Sequence, residues 1–139
     1  MRVYASATEA ELAFAISEVG GVTGAIELRA PETGLVMLRG RIGGDGAPFN
    51  VGEATVTRAV VQLKSGEVGY GFLLGRSAAR ARSAAILDAL AQTSQAARTA
   101  IEAVLITPVT TRMASEAAEA QAKTASTKVD FFTLVRGED

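Results

Sequence analysis

The chain contains no cysteine, no histidine and no tryptophan. Each absence removes a kind of chemistry. Without thiols there is no disulfide, no thiolate nucleophile and no ligand set for an Fe–S cluster. Without Cys and His together there is no ordinary zinc site. Without imidazole, a Ser-His-Asp triad and the commonest acid–base group are both excluded. Proton transfer would fall to Asp, Glu, Lys, Tyr or Arg, and a Mg or Ca site would need carboxylates alone. Charge of one sign is also missing: 14 basic and 15 acidic residues leave a net −1. That balance argues against a nucleic acid or an anionic membrane as partner. No apolar run approaches the ~18 residues of a membrane span. Met1-Arg2-Val3-Tyr4 passes at once into small and polar residues, so no secretory leader is expected, and the chain reads as cytoplasmic.

What is present is enough for one core. A chain of 139 residues, 48% of them hydrophobic, buries about 70% of the surface of its unfolded form. A single domain over 1–139 is expected. Its composition changes near residue 76: thirteen of the 14 glycines lie at or before Gly75, and 17 alanines fall between Ala78 and Ala125. Glycine and β-branched residues suit turns and strands, and alanine is the best helix former. The first half therefore reads as sheet and the next stretch as helix.

Thr8-x-x-Glu11 fits a capping box for a short opening helix, stopped by Gly20-Gly21. Strands are expected at Gly24–Ala30 and Leu35–Ile42, with Pro31-Glu32-Thr33-Gly34 as the turn between them. The second of these is apolar on both faces, which places it centrally in the sheet. Ala54–Leu63 and Val68–Leu74, joined by Lys64-Ser65-Gly66-Glu67, form a hairpin. Ser77 is a helix N-cap. Another helical stretch over Ser94–Leu105 ends at Pro108, and Arg112–Ala125 is helical with Met113 as its only large apolar anchor. Lys128–Arg136 reads as a last strand. The fold class is α+β: a mostly antiparallel sheet of about five strands with helices packed on one face.

Few residues suggest chemistry. Gly43-Gly44-Asp45-Gly46 is either a backbone cradle for an anion or, more simply, a connection between strands. Gly69-x-Gly71-x-x-x-Gly75, followed by Arg76-Ser77, runs from a strand into a helix start. A helix N-terminus suits an anion, and Arg76 and Arg80, one turn apart, can clamp the same one. The simpler reading makes Gly69 and Gly71 a bare strand face for close helix packing. Glu53 and Asp88 are the most suggestive carboxylates, but no metal-ligand spacing appears, and no metal or cofactor is expected. The terminal Val129-Asp130-Phe131-Phe132-Thr133-Leu134-Val135-Arg136 is either a buried strand or a surface that meets another subunit.

Taken in order, several segments resemble one family. They are Glu32-Thr33-Gly34-Leu35-Val36, Arg41-Ile42-Gly43-Gly44, Gly52-Glu53-Ala54-Thr55-Val56-Thr57-Arg58-Ala59, Gly66-x-x-Gly69-Tyr70, Gly75-Arg76, Ala85-Ile86-Leu87-Asp88-Ala89-Leu90, Leu105-Ile106-x-Pro108, Arg112 and Val129–Glu138. The sequence is similar along nearly its whole length to the phosphonate metabolism family PhnG, a small subunit of the carbon–phosphorus lyase system. It departs from the family pattern at Arg80, where a His is usual, and the sequence starts after the point where family members usually carry a longer N-terminal helix with a Trp-Met pair.

The resemblance implies a subunit of a transferase complex, inactive alone. With PhnI, PhnH and PhnL it would form α-D-ribose 1-methylphosphonate 5-triphosphate from ATP and methylphosphonate. It would also join PhnH, PhnI and PhnJ in a larger core assembly. No catalytic residue is implied for this chain. Gly75, Arg76 and Arg58 are the candidates for phosphate or phosphonate binding. Asp130, Phe131, Phe132 and Arg136 are candidates for the partner interface. A purely structural role in stabilising PhnI is the alternative, and a homodimer is expected to be possible when partners are absent.

Overall fold

The computed structural model describes residues 1–21, 24–43 and 45–127. Its elements run α1 (Arg2–Ser6), α2 (Glu9–Glu18), β1 (Ile26–Gly40), β2 (Phe49–Gln62), β3 (Val68–Leu74), α3 (Ala78–Thr93), α4 (Gln95–Ile101), a π-helical segment (Glu102–Ile106) and α5 (Thr107–Ser126). The class is α+β, as expected. The sheet, however, has three antiparallel strands in the order β1-β2-β3 among the described residues, not about five. The expected strand at Lys128–Arg136 lies outside the described residues.

Two of the expected strands are one. β1 runs straight through Pro31-Glu32-Thr33-Gly34, and Glu32, Thr33 and Gly34 pair with Arg58, Thr57 and Val56 of β2. Pro31 falls within a register shift between Arg29 and Glu32. A bulge is where a strand tolerates a residue without an N–H, so this proline marks an irregularity and no chain reversal. The same strand is also misplaced by its pattern. The two-sided apolar pattern of Leu35–Ile42 predicts a central strand, yet among the described residues β1 lies at the sheet edge and Leu35, Met37 and Leu38 are exposed. The β2–β3 hairpin forms where expected: Leu63 N–H donates to the Glu67 carbonyl at 2.9 Å and Gly66 adopts φ +109°.

One face of the sheet carries α3. Alternation along the strands turns Thr57, Ala59, Val61, Gly69, Gly71 and Leu73 toward the helix, and all six are buried. Gly69 and Gly71 lie directly beneath its backbone. A Cβ on Gly69 would overlap the Ala85 carbonyl oxygen and the Ala89 nitrogen; one on Gly71 would overlap the Ala81 carbonyl. The simpler reading of these glycines is the one observed. The closely packed helix face is Ala81-Ala85-Ala89, at i,i+4 spacing and fully buried. α1 leans on β3, and α2 and α4 flank α3. Leu12, Leu73, Leu87, Ile101, Leu105 and Val109 are fully buried in the resulting core, each contributing roughly 1.5–3 kcal/mol.

Pro108 does not end a helix. The helix continues from α4 through the π segment into α5, and Pro108 occupies the first turn of α5. The Thr107 N–H reaches back five residues to the Glu102 carbonyl. That wider turn comes directly before a residue that lacks an N–H and would clash with a normal i−4 carbonyl.

Candidate functional site

The expected capping box is formed in full. Thr8 Oγ1 accepts from Glu11 N–H at 3.2 Å, and the Glu11 carboxylate accepts from Thr8 N–H at 2.7 Å. Glu11 then reaches across the molecule. Arg112 of α5 donates to its two oxygens at 3.1 and 3.2 Å, to the Ser6 carbonyl at 3.0 Å and to Glu116 at 2.8 Å. The Thr8 backbone N–H is the main cause holding the Glu11 carboxyl below its ordinary range; Arg112 adds to it. A carboxylate with a lowered folded pKa stabilises above its unfolded value and loses that contribution as pH falls through the folded one. Glu11→Gln is therefore expected to cost on the order of 1 kcal/mol at neutral pH. Its difference from wild type should close as pH falls below about 4. Thermal unfolding midpoints measured from pH 7 to pH 3 check this.

Arg80 is also committed internally. Its Nε donates to the Ala7 carbonyl at 3.0 Å and its Nη2 to the Ala5 carbonyl at 2.7 Å, fixing the C-terminal end of α1 on α3. It does not join Arg76 in a clamp. Arg58 stands on the open face of the sheet beside Phe72 and pairs with Glu32, which also meets Arg29 at 3.5 Å. Gly75 forms the turn between β3 and α3 with φ +96°. Its N–H donates to the Thr55 carbonyl at 2.9 Å, and its carbonyl accepts from the buried Thr57 hydroxyl at 2.7 Å. Ser77 caps α3 by accepting from Arg80 N–H. Arg76 is exposed at this turn and has no ion pair or side-chain hydrogen bond among the described residues. Neither a hydrogen bond nor an ion pair joins Arg58 to Arg76. Asp130, Phe131, Phe132 and Arg136 lie outside the described residues.

The two carboxylates singled out in sequence do different things. Glu53 is exposed on β2 opposite Met37. Asp88 of α3 accepts the Tyr70 N–H of β3 at 3.0 Å, and Gln92, one turn on, donates to the Val68 carbonyl at 2.9 Å. Asp88 also helps burial raise the pKa of Tyr4, against an opposing pull from Arg98. Among the described residues no three Asp or Glu side chains converge as metal ligands, and no helix is long and apolar enough to cross a membrane. Gly43 and Asp45–Pro48 belong to the connection between β1 and β2, closed by Gly46 N–H on the Ile42 carbonyl at 3.1 Å.

Sequence reasoning missed the internal roles of Arg80, Arg112 and Asp88, since no local spacing signals a bond across 75 or 101 residues. It also missed the exposed hydrophobics of the long hairpin, although their two-faced pattern was visible.

Arginines that hold the chain's own helices, an exposed Arg76 without a side-chain partner among the described residues at the start of α3, and a long apolar hairpin in water define the class: a small α+β protein that meets other chains. The family model described as phosphonate metabolism protein PhnG matches residues 1–137, and the chain belongs to that family. It is 54% identical, over all 139 residues and 88% of the relative's length, to the "Alpha-D-ribose 1-methylphosphonate 5-triphosphate synthase subunit PhnG" of Rhizobium meliloti (strain 1021).

Proposed function

We propose that the chain is the PhnG subunit of a cytoplasmic α-D-ribose 1-methylphosphonate 5-triphosphate synthase. It would act with PhnI, PhnH and PhnL on ATP and methylphosphonate, and join PhnJ in the larger assembly of phosphonate catabolism. The observation that carries this is the 54% identity, over the whole of this chain, to a subunit of that name. The chain is inactive alone, and its contribution is assembly and positive charge. Of its phosphate candidates, Arg58 shares Glu32 with Arg29 and the backbone groups of Gly75 are engaged within the turn. Arg76 is exposed beside the N-terminus of α3, where a guanidinium suits a phosphate or phosphonate oxygen. Asp130, Phe131, Phe132 and Arg136 serve the contact with PhnI.

Arg76→Ala is expected to lower product formation at least ~10-fold, the worth of one charge-assisted hydrogen bond, in a reconstituted mixture of the four subunits. Complex assembly on size exclusion should be unchanged. Equal turnover with Arg76→Ala would leave the chain a purely structural partner of PhnI.

A further inference from the structure

The long β1–β2 hairpin outreaches the helical layer. Beyond the Gly34–Val56 pair, where Val56 is still buried, none of its described residues is buried, and large apolar side chains are exposed on both sides. Leu35 and Met37 point to the α3 side of the sheet, while Leu38 and Phe49 point to the open side. With Ile42 and Val51 they range from 43% exposed at Phe49 to 75% at Ile42. The open side continues into Tyr70, Phe72 and Leu74 of β3, also exposed. At roughly 100 Å² for each such half-exposed side chain, these nine leave on the order of 900 Å² of largely apolar surface in water. A monomer ordinarily leaves a few hundred Å² in one patch, and a standard interface takes about 800 Å² from each partner.

The two edges of the sheet are treated differently. β3 is blocked by Asp88 and Gln92, which occupy the Tyr70 N–H and the Val68 carbonyl. Among the described residues, no side chain bonds the backbone of β1 between Thr33 and Gly40, and that segment contains no proline. An unguarded apolar edge is a place for another chain to pair. A second copy fits poorly. A two-fold contact lays one patch on its own mate, so it covers one side of the arm and leaves the other wet.

We infer that the arm, Thr33–Thr55, is the element by which this chain enters its partner subunit, and that the partner supplies an apolar cleft closing on both sides of it. The inference rests on the subunit role proposed above. The test is co-expression of the full chain with PhnI, followed by size exclusion and titration. Leu35→Glu with Leu38→Glu places one charge on each side of the arm at exposed positions, so the far-UV spectrum and unfolding midpoint should match wild type. Wild type should co-elute with PhnI, and the double variant should bind at least ~100-fold more weakly, because each carboxylate would enter an apolar cleft unpaired. Co-elution of the variant at wild-type affinity overturns the arm alone. A wild-type chain that elutes apart from PhnI overturns the subunit role and the arm with it. A wild-type homodimer that the double variant makes monomeric assigns the arm to a second copy and overturns the inference. Amide exchange of the wild-type complex gives a readout without substitutions. Slowing across 33–55 is expected, and slowing confined to other segments overturns the proposal.

Discussion

Gly71→Ala should cost about 3 kcal/mol or more, the upper range for forcing extra atoms into a packed core. The added methyl would overlap the carbonyl oxygen and carbon of Ala81 and press on the Ala85 nitrogen. All three are backbone atoms of α3, so no rotamer change relieves the overlap; the helix must rise off the sheet. Against the 5–15 kcal/mol total of a typical domain, that is a large share. The denaturant midpoint should fall clearly, and the soluble yield with it. Gly34→Ala is the control. It lies in β1, where an added Cβ meets nothing within 4 Å, and its midpoint should stay within about 0.5 kcal/mol of wild type. A Gly71→Ala chain that unfolds at the wild-type midpoint would show that α3 is not seated as described.

Arg80→Ala should cost about 2–3 kcal/mol, since two charge-assisted hydrogen bonds to backbone carbonyls are lost together. The Ala5 and Ala7 carbonyls at the end of α1 then lose their protein donor. α1 has only five residues and no stability of its own, so it should detach. The readouts are a lowered unfolding midpoint and faster amide exchange confined to about residues 3–7. Arg80→Lys should recover only part of the loss, because an ammonium cannot span both carbonyls as a planar fork does. Full recovery by Lys would show that charge alone, and not the two-point geometry, holds α1.

Much of the fold was legible because its signals are local. The capping box at Thr8 and Glu11, the turn at Lys64–Glu67 and the cap at Ser77 each involve residues within four positions, and each forms. The misreadings come from residues whose meaning depends on distant neighbours. Pro31 looks like a turn until its strand partner is known; beside β2 it is a bulge. Pro108 looks like a stop until the preceding π turn makes room for it. Leu35–Ile42 has the two-sided apolar pattern of a central strand, but that pattern records only that both faces are to be covered. It does not say that the cover comes from the same chain. The candidate site was less legible still. Gly75 and Arg76 were visible as a strand-to-helix junction. That Arg80 turns away to hold α1 follows from a contact 75 residues distant in the chain.

The bond between Arg112 and Glu11 has a consequence for the order in which the molecule is completed. It spans 101 residues, and Arg80 reaches back 75 to Ala5. The two opening helices therefore leave the ribosome long before the side chains that anchor them exist. At about 5–20 residues per second the wait is several seconds or more. The β1–β2–β3 hairpins close over short loops, a contact pattern that favours fast pairing. During synthesis the sheet and α3 are thus complete in sequence before Arg112 exists, and the two opening helices gain their anchor to α5 only after it emerges.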